Sequence, residues 1–79
     1  GSYRVDAYGI EIVIENKDGL LAMSIPAMGG NHTYLMPTAN GQYETLDGTT
    51  ILYPSVTDGK ISTIDFDFRA FGVKVTGKK

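Results

Sequence analysis

Turns carrying glycine punctuate this chain, their glycines 22, 7 and 11 residues apart: Asn16-Lys17-Asp18-Gly19, Asn40-Gly41, Asp47-Gly48 and Thr57-Asp58-Gly59-Lys60. Between these turns, apolar and polar residues alternate. Glycine at such positions supplies the positive φ that tight hairpins need. Short alternating runs at this spacing read as an antiparallel all-β meander, and no stretch sustains a helical period.

The strands follow from the alternation. Ile10, Ile12 and Ile14 interleave with Glu11, Val13 and Glu15, giving a half-buried strand. The return strand, Leu20 to Ile25, sets Leu21, Met23 and Ile25 on one side. Pro26 and Gly29-Gly30 close it. His32 to Thr38 reads as a third strand, with Tyr34 and Met36 opposite Leu35 and with Pro37 at an edge or at the strand's end. Tyr43 to Leu46 is short, and Thr50 to Tyr53 is stopped by Pro54. Ile64, Phe66 and Phe68 then alternate with Thr63, Asp65, Asp67 and Arg69. Phe71, Val73 and Val75 continue the beat through a last strand, leaving Gly77-Lys78-Lys79 as a frayed tail. The expectation is an all-β, antiparallel up-and-down meander of about seven strands, curled into a small barrel or half-barrel. Residues 1–79 form a single domain, without a linker or an internal repeat.

Composition narrows the function. A net charge of −2 provides no basic field for nucleic acid. The longest apolar run, Leu20 to Met23, is far short of the roughly 20 residues of a spanning helix, so no membrane span is expected. The absence of cysteine excludes disulfides and thiolate metal sites. The first residues lack the charged and apolar regions of a signal peptide.

Candidate chemistry is sparse. The single histidine, His32, stands beside Gly29-Gly30-Asn31 and reads as a solvated loop or strand-start residue. Ser62, His32 and Asp65 make a nominal hydrolytic set, but no nucleophile elbow or Ser-x-x-Lys accompanies them. Asp65 and Asp67, like Glu11 and Glu15, are spaced to share one strand face. Such pairs bind calcium or share a proton, or else keep an outer face soluble, and the second reading fits an alternating strand better. Gly29-Gly30 precedes no helix start and reads as a flexible hairpin rather than an anion cradle. No catalytic residue, cofactor or metal is assigned. The five tyrosines suit a barrel rim or an interface, where one end of the ring packs and the other stays wet.

In order along the chain, Gly1-Ser2-Tyr3, Tyr8-Gly9, Asp18-Gly19-Leu20-Leu21, Leu35-Met36-Pro37-Thr38, Tyr53, Asp58-Gly59-Lys60-Ile61 with Ile64, and Val73 to Lys79 resemble a known pattern. It is that of the small lipocalin-like β domain at the C-terminus of many serine β-lactamase-like hydrolases, relatives of penicillin-binding proteins. The resemblance covers nearly the whole chain and would make Gly1-Ser2 native rather than a vector remnant. It brings no catalytic residues, because that family's chemistry lies in the neighbouring hydrolase domain. It implies a bacterial protein, periplasmic or secreted, and a lipocalin-like barrel.

The expected role is therefore a noncatalytic accessory domain, not an enzyme. It would pack on a neighbouring serine hydrolase domain of the same parent chain and shape active-site access or assembly. The loops at 26–32 and 54–60 are the candidate contacts, with Tyr34, Tyr53 and Phe71 as the apolar contact surface. Two alternatives stand beside it. One is a free-standing barrel holding an apolar or sugar ligand at its mouth. The other is a structural assembly or adhesion module that pairs an exposed edge strand.

Overall fold

The computed structural model describes residues 1–79. Eight strands follow in chain order: β1 Ser2–Val5, β2 Ile10–Lys17, β3 Leu20–Ser24, β4 Thr33–Pro37, β5 Tyr43–Thr45, β6 Thr50–Thr57, β7 Lys60–Phe68 and β8 Val73–Lys78. Each pairs antiparallel with the next, and β8 returns to β1 with Arg4 opposite Lys78, closing the barrel. Closure removes the two free edges an open meander would leave to water. Short 3-10 turns at Pro26–Met28 and Ala39–Gly41 are its sole helical pieces, and no helix is long and apolar enough to cross a membrane.

The turns carry the topology. In β2–β3 and β6–β7, Lys17 faces Leu20 and Thr57 faces Lys60, so each loop has two residues. Both residues of each loop have positive φ: Asp18 at 54° and Gly19 at 84°, Asp58 at 53° and Gly59 at 76°. That is the type I′ geometry whose twist matches the strands it joins, and Asp-Gly suits it because Asp tolerates the left-handed region.

The interior is filled by the inward faces. Tyr3, Val5, Ile12, Met23, Leu35, Leu52, Ile64, Phe66 and Val75 form one buried cluster. Ile10, Ile14, Leu21, Ile25, Tyr43, Ile61, Phe68 and Val73 pack around it, half-buried. The rings of Phe66 and Phe68 stack with centroids 6.1 Å apart. Asp65, Lys74 and Thr76 point outward and are exposed, as strand alternation requires.

Four expectations are corrected. There are eight strands rather than about seven, because Ser2–Val5 forms a strand of its own that buries Tyr3 and Val5. It has only four residues and carries Arg4 between its apolar positions, so its beat is short. Gly77 and Lys78 are not a frayed tail: Gly77 pairs with Ile64 and is buried. A methyl group on Gly77 would lie 2.8 Å from Phe66 and 3.0 Å from Tyr3 Cβ, so glycine lets β8 lie close over these side chains. Pro54 does not stop β6, which runs to Thr57 against β7. The short β5 reaches along β6 only at Ile51 and Leu52, so Pro54 lies beyond the register of that neighbour. The proposed contact loop at 54–60 is therefore a strand end and a two-residue turn. Finally, Phe71 does not belong to the last strand. It sits in the turn Arg69–Gly72, where its N–H reaches the Phe68 carbonyl at 3.0 Å. A count of two residues per repeat passes straight through a four-residue turn and cannot mark it.

Candidate functional site

An up-and-down barrel places alternate connections at alternate ends. One end gathers residues 6–9, 25–32, 46–49 and 69–72. The other gathers the Asp18-Gly19 and Asp58-Gly59 turns, residues 38–42 and both chain ends. Gly1 and Lys79 lie together there: Lys79 Cε is 3.1 Å from where a Gly1 Cβ would stand. The Gly1 ammonium donates to the Ile14 carbonyl at 2.6 Å.

The first end opens into an apolar recess of about 360 Å³. Its walls are Tyr8, Ile10, Ile25, Met28, Phe68, Phe71, Val73 and Val75, all hydrophobic. Ile10, Ile25, Phe68 and Val73 are the outermost rungs of the core pattern, left half-exposed where the strands end. Tyr8, Met28 and Phe71 are raised on three different connections and stand 60%, 67% and 74% exposed. Proline at the start of the Pro26–Met28 turn and Gly29 after it, at φ 95°, fix the loop that carries Met28. A ring or thioether so exposed contributes little to folding, and three of them around one opening make an exposed apolar patch.

Beside the mouth, a groove of about 440 Å³ runs over the outer face of β6, β7 and β8. Tyr53, Asp65, Asp67, Lys74 and Thr76 line it, and Tyr8 and Val75 are walls of both recesses. Thr76 donates its hydroxyl to Asp65 Oδ1 at 2.7 Å.

The remaining loop at this end, residues 46–49, is tied by one carboxylate. Asp47 Oδ1 accepts from the hydroxyls of Thr45 and Thr49 at 2.7 and 2.8 Å and from the Thr49 N–H at 3.1 Å. The Thr45 hydroxyl, followed by the Thr49 contacts, holds the Asp47 carboxyl below its ordinary pKa. Thr45 Oγ1 in turn accepts the buried Thr50 N–H at 3.1 Å. At the other end of the interior, burial pushes the Tyr3 phenol up.

Of the three residues expected to make the contact surface, Phe71 lies on the mouth and Tyr53 on the groove. Tyr34 is half-buried and pairs across β3–β4 with Ala22, away from both. The expected contact loop at 26–32 supplies Met28, and Tyr8 joins it from a loop outside the expected contacts. Its signal is local: Ala7-Tyr8-Gly9 puts a large ring in a turn with no strand to bury it. The nominal Ser62, His32 and Asp65 set is not assembled. Ser62 donates to the Ser55 carbonyl at 3.3 Å, Asp65 is engaged by Thr76, and His32 is exposed in the loop before β4. No group of three or more histidine, cysteine, aspartate or glutamate side chains is placed to hold a metal ion.

No protein-family model, no curated protein and no solved structure matches this chain.

Proposed function

We propose that this barrel is a noncatalytic binding module that takes an apolar group into its mouth. The observation carrying this reading is the composition of the recess, eight hydrophobic walls around about 360 Å³ beside a filled interior. Small barrels fill their interiors with their own side chains, and ligands then sit at the mouth. Loops on a rigid sheet suit such a role because the strands fix where their tips stand.

The test is titration with the apolar fluorophore 1-N-phenylnaphthylamine. Saturable binding with enhanced emission is expected. Phe71→Ala should weaken it by about three- to tenfold, the worth of one aromatic wall. Saturable binding unaffected by Phe71→Ala, or no binding, overturns the reading.

A second reading keeps the accessory role, with the same rim docking on a neighbouring serine hydrolase domain. The raised side chains of Tyr8, Met28 and Phe71 favour it, because they make an open patch as well as a recess. The coding sequence flanking this chain tests it. An adjoining domain with Ser-x-x-Lys and Tyr-x-Asn motifs supports it, and an adjoining domain of another kind overturns it.

A further inference from the structure

We propose that the mouth takes an amphiphile whose head is an uncharged, hydroxyl-bearing group, of which a sugar ring is the type. The tail would enter the apolar recess, and the head would lie in the groove over β6–β8. This inference rests on the reading of the mouth as a binding site and names the class of its ligand.

The two recesses have opposite chemistry and a common wall. The mouth offers no side chain that could satisfy a polar head apart from the Tyr8 hydroxyl. The groove offers carboxylates, an ammonium and a hydroxyl. Tyr8 and Val75 line both, so a molecule lying across Tyr8 reaches from one into the other. A wholly apolar ligand would leave the groove unused, and a free sugar would leave the mouth unused.

The strand register sets the head's surroundings. Tyr53, Asp65 and Thr76 stand opposite one another in one row across β6, β7 and β8, and Asp67 and Lys74 face each other in the next. Facing residues in such rows are about 5 Å apart, and a ring with hydroxyls spans that distance. Lys74 is in neither of the chain's ion pairs, Arg4–Asp6 and Arg69–Glu44, so its ammonium is free to donate. Asp65 Oδ1 is taken by Thr76, which leaves Oδ2 to accept. Both signs of charge lie side by side here. An anionic head would meet Asp65 and Asp67, and a cationic head drawn to those carboxylates would meet the Lys74 ammonium facing Asp67. Hydroxyls donate to the first and accept from the second. The faces of Tyr8 and Tyr53 suit the C–H side of a sugar ring.

Displacement of 1-N-phenylnaphthylamine by octanol, octyl glucoside, octyl sulfate and octyltrimethylammonium, all below micelle-forming concentrations, tests this on the full chain. Octyl glucoside should displace the dye at about tenfold lower concentration than octanol, the value of one or two hydrogen bonds. The charged heads should do no better than octanol. Asp65→Ala and Lys74→Ala should each bring octyl glucoside toward octanol while leaving the dye's own affinity unchanged. Equal displacement by octanol and octyl glucoside, or a charged head that outcompetes both, overturns the inference and leaves the apolar mouth standing. Failure of the dye itself to bind overturns the mouth reading and this inference with it.

Discussion

The two ends of the barrel are built from the same strands and treat an added atom in opposite ways. Along β7, Ile64 and Phe66 are 3% and 0% exposed, while Phe68, two residues on, is half-exposed at the mouth. Along β8 the order runs from Val73, half-buried, through Val75, 8% exposed, to Gly77, where even a methyl group would collide with Phe66. One end is tipped with Asp18, Asp58, Lys60 and Lys79 and leaves Leu20, Met36 and Val56 exposed. At the other, Tyr8, Met28 and Phe71 stand around one apolar recess. The barrel thus divides its hydrophobic side chains between a buried core and an exposed rim. The division follows position along the strand rather than residue type.

The contrast predicts a graded set of responses. Phe66→Ala, in the buried core, should lower unfolding stability by about 3–5 kcal/mol in urea titrations and leave the chain near its folding limit. Gly77→Val should cost about 1–3 kcal/mol by overpacking against Phe66 and Tyr3. The paired variant Gly77→Ala with Phe66→Leu should be less destabilised than the sum of its two single variants, because the nearer of the two clashes, at 2.8 Å, is with Phe66. At the mouth end, Asp47→Ala should cost about 1 kcal/mol through the hydrogen bonds it removes. Because the folded Asp47 pKa is depressed, its contribution is fully present above the ordinary carboxylate value and is lost as pH falls through the folded value. Thermal melts of Asp47→Ala and the unaltered chain should therefore differ at neutral pH and converge in acid. Phe71→Ala should change stability by less than about 0.5 kcal/mol. If Phe71→Ala proves as costly as Phe66→Ala, the division between core and rim is wrong.

Much of this fold is legible in the sequence because its signals are local. The Asp-Gly turns and the Ile10–Ile14 and Ile64–Phe68 alternations sit where the period places them, since each depends on residues next to one another. What escapes is set by distant partners. Ser2–Val5 is a strand because β2 and β8 flank it. Pro54 is tolerated mid-strand because β5 stops short of it. Gly77 looks like a tail residue until Tyr3, seventy-four positions earlier by numbering, lies beneath it. The site divides the same way. Phe71 is visible as an aromatic residue, but whether Tyr34, Tyr53 or Tyr8 joins it depends on which loops share an end, and that follows from strand count and closure. One uncounted strand at the start is enough to hide the role of the loop at residues 6–9.

The seam where β8 meets β1 has a consequence for the life of the molecule. Every other pairing joins neighbours in the chain and can form as a hairpin, whereas this one joins the first strand to the last. Loop closure is entropically slow, so the seam should be the last junction to form and the first to part. While it is parted, the molecule shows two unpaired strand edges together with the interior they cover, which is the shape most prone to self-association. Its shelf life in concentrated solution would then be governed by how often that single zipper opens.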